Sequence, residues 1–132
     1  MNRHVTQQDL VAQFTKAMEQ PVDAEMTQDL LDLRQKLIME EAAEVFDEFE
    51  RPKLTPNGSI DKAHLTKELA DLLYVVHGTA VAFGLPLEPA FVRVHNSNMS
   101  KLGEDGKPIY RDDGKVLKGP NYKPADLTDL FE

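Results

Sequence analysis

There is no cysteine anywhere in the 132 residues, so disulfides, thiolate zinc ligands and thiol nucleophiles are all excluded. No apolar run reaches the roughly 18 residues needed to span a bilayer. The opening MNRHVTQQDL lacks the apolar stretch of a secretory signal, so none is expected. Basic residues are scarce: 15 Lys and Arg stand against 23 Asp and Glu, for a formal net charge of −8. Binding a nucleic-acid polymer demands a basic surface, so that class of function is set aside. A cytoplasmic protein is the simplest expectation.

What is present is ordinary in amount and uneven in placement. A hydrophobic fraction of 41% and a charged fraction of 29% suit a globular protein. The length suits one domain, 1–132, able to bury a core without staples. Residues 40–50 hold six carboxylates: Glu40, Glu41, Glu44, Asp47, Glu48 and Glu50. Residues 101–123 hold six of the fifteen basic groups: Lys101, Lys107, Arg111, Lys115, Lys118 and Lys123. One segment suits cations and the other anions, and a metal–polyphosphate ligand would need both.

Local signals predict four helices. Thr6 and Asp9 resemble a capping box that starts a helix running to about Met18, ended by Pro21. A second helix is expected from near Thr27 to Phe49, with Leu30, Leu33, Leu37, Ile38, Ala42, Val45 and Phe49 at 3- and 4-residue steps. Pro52, Pro56 and Asn57-Gly58 mark a loop. A third helix, from near Ser59 or Asp61, carries Leu65, Leu69, Leu72, Leu73, Val76, Ala80 and Phe83, with Gly84 as a left-handed stop before Pro86. Pro89 suits the first turn of a fourth, ending near Lys101. Beyond this body, 1–102, the arm 103–132 holds turn signals at Asp105-Gly106 and Asp113-Gly114, a short hairpin between Ile109 and Lys118, and a last helical turn near Leu127 to Phe131. The fold class expected is all-α, a bundle of four to five helices with an irregular basic C-terminal arm, dimeric or higher.

Helical glutamates usually face water, and position is what separates these. Glu41 follows Leu37 by four residues and precedes Val45 by four, so it projects from the apolar stripe, where a lone carboxylate is costly. Glu44 is its i+3 neighbour and Glu40 stands four before Glu44. On the third helix Glu68 and Asp71 repeat the i, i+3 arrangement at the edge of the stripe. Two such helices, antiparallel, would make an oxygen cage for Mg²⁺ or Mn²⁺. The plainer alternative is a buried ion-pair network, with Lys67, Lys62 or Arg34 as the cations.

The run Glu40-Glu-Ala-Ala-Glu44, followed by Glu68-Leu-Ala-Asp71, resembles the EExxE…ExxD signature of the all-α nucleoside triphosphate pyrophosphohydrolases. This is the MazG-like group, related to dimeric dUTPases, dCTP pyrophosphatases and phosphoribosyl-ATP pyrophosphohydrolase. The likeness extends through His95-Asn-Ser-Asn-Met-Ser-Lys101 and Lys118-Gly-Pro-Asn-Tyr122, from about Leu33 onward. It implies hydrolysis between the α and β phosphates of a dNTP, releasing dNMP and pyrophosphate. By the same resemblance Glu41, Glu44, Glu68 and Asp71 are metal ligands for Mg²⁺ or Mn²⁺, while Glu40 binds metal or deprotonates the attacking water. Asn98 and Lys101 would contact phosphate, and Lys118, Tyr122 and Arg34 are further phosphate candidates.

The substrate leans to a purine such as dGTP. Relatives of the dCTP type carry tryptophan near their first helix, and this chain has none. Alternatives are dUTP or dCTP hydrolysis, phosphoribosyl-ATP cleavage and, from another class, a helical dimer that binds nucleotide without turnover. With oxygen ligands sufficient for magnesium, neither His64 nor His77 is needed as a ligand, and His95 is expected to pack or face water. Phe14, Phe46 and Phe83 fall at core spacings, although Phe14 is also placed to face a base. The resemblance implies a homodimer or tetramer in the cytoplasm, or the host cytoplasm if phage-encoded.

Overall fold

The computed structural model describes residues 4–132 and is all-helical, with α1 Gln7–Ala17, α2 Gln28–Glu50, α3 Lys62–Phe83 and α4 Leu87–Met99. The first three residues of the stretch searched for a secretory signal lie outside the described part. Among the described residues no helix is long and apolar enough to cross a membrane.

The first three helices begin where a side chain accepts from an orphan backbone amide. Thr6 Oγ1 accepts from the Asp9 amide while the Asp9 carboxylate accepts from the Thr6 amide, so the expected capping box closes. Thr27 and Asp61 cap α2 and α3 by accepting from the amides of Leu30 and His64. Gly84 stops α3 at φ 65°, in the left-handed region, and the Leu85 amide turns back to the Ala80 carbonyl. Carbonyls left over at the end of α3 are taken by the α1–α2 connection, as the amides of Asp23 and Ala24 donate to Val81 and Ala82. One element was not foreseen: a 3₁₀ turn, Arg51–Leu54, in which Pro52 extends the end of α2 before the chain loops.

The chain divides into two compact units, one up to Leu85 and one from Pro86. In the first, α3 packs against both α1 and α2. In the second, the arm lies along α4: the Arg93 guanidinium pairs with Asp129 and donates to the Asp126 carbonyl, and Ser97 Oγ donates to the Lys123 carbonyl. The expected hairpin contracts to a single antiparallel bridge, Tyr110 to Val116, around the turn at Gly114. The last turn forms at Thr128–Phe131.

Apolar burial is thin. The buried hydrophobic side chains among the described residues are Val11, Ala80, Val81 and Ala82. Phe14 and Phe46, expected in the core, are 43% and 62% exposed, which corrects that reading. The reason lies in layering: α3 is covered on two sides, whereas α2 has α3 as its principal partner in the unit. Leu33, Phe46 and Phe49 on α2 therefore stay exposed.

Candidate functional site

Helices α2 and α3 run antiparallel, joined by Arg34 to Thr79 and Val75 at one end and by Glu48 to His64 at the other. Between these ends Glu41 and Glu44 of α2 meet Glu68 and Asp71 of α3. One carboxylate oxygen from each lies within 4.8 Å of the other three. The i, i+3 spacing on each helix sets two carboxylates on one side of one turn, and the antiparallel pairing presents the two turns to each other.

Burial makes this arrangement costly as it stands. Glu68 is only 5% exposed, Glu41 and Asp71 are half-buried, and Glu44 sits at the open edge. Glu41 Oε2 and Glu68 Oε2 are buried and accept no hydrogen bond from any permanent donor. Buried carboxylate oxygens without partners are rare in folded proteins, because the lost hydration is not replaced. Crowding also shows in Glu44, whose carboxyl is pushed up to about 7. Its protonated form hydrogen-bonds to Glu68 and then Glu41, and its ionised form is repelled by both. Hard oxygen donors of this number and closeness fit a divalent ion of the Mg²⁺ or Mn²⁺ type.

Part of the ion-pair alternative is also present. Lys67 Nζ lies 2.6 Å from Asp71 Oδ2 and 3.7 Å from Glu68 Oε1, and its ammonium is held above its ordinary pKa chiefly by Asp71. His64 Nε2 lies 3.2 Å from Glu68 Oε1. Both side chains approach Oε1 of Glu68 and leave its Oε2 unmatched.

Glu48 was not singled out from the sequence. It is 3% exposed, with Oε1 2.6 Å from His64 Nδ1 and Oε2 2.9 Å from Arg51, so it links the end of α2 through His64 to Glu68. Its place four residues after Glu44 and the place of His64 four before Glu68 were the available signals.

The other candidates lie elsewhere. Glu40 is exposed and lines a shallow groove on the outer side of α2 with Lys36 and Met39. Arg34 is committed to the seam: Nε donates to Thr79 Oγ1 and Nη2 to the Val75 carbonyl, while burial lowers its pKa. Lys62, the first residue of α3, is exposed. In the second unit Asn98 is exposed near the end of α4, and the Lys101 carbonyl accepts from the Gly119 amide. That contact leaves no room for a side chain at residue 119, since a Cβ would stand 2.4 Å from the Leu102 carbonyl oxygen. It sets Lys101 beside the Lys118–Tyr122 corner, where the Lys118 ammonium lies 4.8 Å from the centre of the Tyr122 ring.

Between α1 and α3 is a small apolar cleft of about 170 Å³, lined by Gln7, Leu10, Val11, Ala70, Leu73, Tyr74 and His77. Phe14 meets Tyr74 edge-on beside it, with ring centroids 5.6 Å apart. His77 is buried, and its ring nitrogens face the side-chain oxygens of Gln8 and Gln7.

Comparison with protein families matches residues 8–98, more than half of the chain, to phosphoribosyl-ATP pyrophosphohydrolase. Among curated proteins, none matches.

Proposed function

The chain belongs to the phosphoribosyl-ATP pyrophosphohydrolase family, whose members act on phosphoric anhydrides of nucleotides, and on that footing we propose that it hydrolyses a deoxynucleoside triphosphate between the α and β phosphates. The products are dNMP and pyrophosphate. The observation that carries the metal-dependent part is the pair of buried, unpartnered oxygens on Glu41 and Glu68 inside the four-carboxylate cluster. When bound, Mg²⁺ or Mn²⁺ supplies Lewis-acid polarisation of the phosphate oxygens and a more acidic water.

Glu41, Glu44, Glu68 and Asp71 would hold the ion. Glu68 is buried, and His64 Nε2 approaches its Oε1, leaving Oε2 to face the cluster. Glu44, at the open edge, would have to be ionised to hold it. The proposed role of Glu40, taking the proton of the attacking water, rests on the EExxE motif and on its place one turn before Glu44. Phosphate contacts by Asn98, Lys101, Lys118 and Tyr122 are proposed from the family pattern. The cleft beside Phe14 and Tyr74 is apolar and bordered by amide and imidazole groups, which suits a base. Exposed Leu33, Phe46 and Phe49 on α2 support a homodimer or larger assembly acting in the cytoplasm.

A product assay tests the chemistry: the purified chain with each dNTP, dUTP, GTP and phosphoribosyl-ATP, with Mg²⁺, Mn²⁺ or EDTA, resolving mono- and diphosphate and pyrophosphate. Monophosphate and pyrophosphate from a dNTP, dGTP foremost, lost in EDTA, is the expected result. Turnover of phosphoribosyl-ATP alone overturns the dNTP assignment, and nucleotide binding without products would make the chain a non-catalytic binder. Light scattering after size exclusion should show at least a dimer; a strict monomer contradicts the assembly.

A further inference from the structure

Lys67 touches the same two α3 carboxylates that the proposed ion would use. It stands one residue before Glu68 and four before Asp71, with Nζ 2.6 Å from Asp71 Oδ2 and 3.7 Å from Glu68 Oε1. Its side chain is 64% exposed, so the ammonium reaches the cluster from the solvent side on a flexible stem. Exposed i, i+4 pairs are weak and readily exchanged.

A divalent ion holding the Asp71 carboxylate would sit about 2.1 Å from its oxygen, close enough to repel an ammonium sharing that oxygen. The stem lets Nζ move several ångströms with no change in α3, yet it stays tethered beside Glu68. The anion nearest a cation displaced to that place is whatever the ion itself carries, which in a phosphoanhydride hydrolase is phosphate.

We propose that Lys67 exchanges partners during the reaction cycle, pairing with the Asp71 carboxylate until a divalent ion binds there and then with a phosphate oxygen of the substrate. This rests on the metal-dependent hydrolysis proposed above. It requires two effects of opposite sign from one substitution, because the ammonium competes with the ion and assists the phosphate.

The test is calorimetry on the full chain, first with Mn²⁺ alone and then with inorganic pyrophosphate at saturating Mn²⁺. Lys67→Ala should bind Mn²⁺ about three- to fivefold tighter and pyrophosphate about three- to fivefold weaker, the scale of an exposed ion pair. Lys67→Arg, which keeps the charge, should stay close to wild type in both. Unchanged or weaker Mn²⁺ binding by Lys67→Ala overturns the competition and leaves a surface ion pair. Unchanged pyrophosphate binding overturns the second partner. A wild-type chain that takes up no Mn²⁺ removes the metal-dependent reading itself, a result distinct from either.

Discussion

Two ends of one helix seam handle buried charge in opposite ways. Toward the start of α2, Arg34 enters the α2–α3 contact and finds neutral acceptors, the Thr79 hydroxyl and the Val75 carbonyl. Two turns along, Glu41 and Glu68 enter the same contact, and each leaves a buried oxygen without a donor. The Arg34 end is a finished joint. The glutamate end is an unfinished one, and the difference shows that burial of charge alone does not mark a site. What marks it is a charge whose partner the chain withholds, since a protein selected for stability alone would fill or delete it.

The largest effect should come from the unfinished end. Glu41→Gln, Glu68→Gln or Asp71→Asn should lower turnover by roughly three orders of magnitude, the several kcal/mol that a catalytic ion contributes. Melting temperature without metal should hold or rise, because like-charge repulsion is relieved. Near-normal hydrolysis in these variants would break the comparison, making the glutamate end as structural as the arginine end.

The finished end should behave in reverse. Arg34→Met should cost about 2 kcal/mol of stability for its hydrogen bonds from a charged group, with KM and kcat moved less than about twofold. Denaturant melts and steady-state kinetics on the same preparation separate the two readings. A large rise in KM with an unchanged melt would assign Arg34 to phosphate instead.

A third effect is a slope. The Glu44 carboxyl titrates near 7 in the folded chain, above its ordinary 4.5, so the folded state binds more protons between those values. Stability from this group is therefore present at low pH and lost as pH rises toward and through 7, in the absence of metal. Thermal melts in EDTA from pH 5 to 8 should show this falling component in wild type and not in Glu44→Gln. Mn²⁺ affinity should rise over the same range as the proton leaves. Matching pH profiles for the two proteins would dissolve the coupling.

The smallest effect is expected at Gly78. A Cβ there would stand 2.5 Å from Arg34 Nη2, displacing the flexible end of the guanidinium. Gly78→Ala gains about 1 kcal/mol of helix propensity and gives up part of the Arg34 bonding. The net change should stay within about 1 kcal/mol by denaturant titration, and a much larger loss would show that Arg34 has no second way to seat.

Much of the architecture was legible because its causes are local. Thr6 with Asp9, Thr27, Asp61 and Gly84 mark helix ends through groups three or four residues away, and each behaved as expected. The two carboxylate pairs were legible because helical period alone sets i and i+3 on one side. Phe14 and Phe46 misled because an apolar stripe records that a face is buried somewhere, not that this chain buries it. Glu48 escaped notice because one more glutamate in an acidic run looks solvated until a second helix brings His64 against it.

By itself, then, the sequence determined where the helices start and stop and which carboxylates share a turn, since hydrogen bonds and periodicity over a few residues decide both. Only the tertiary structure decided which charges are satisfied. Arg34 meets partners 41 and 45 residues away, and the unmatched oxygens of Glu41 and Glu68 exist only where α2 and α3 close over them. Desolvation is the physical reason: a charge costs little on a lone helix in water, and its cost, with any use made of it, appears when a second helix removes the water.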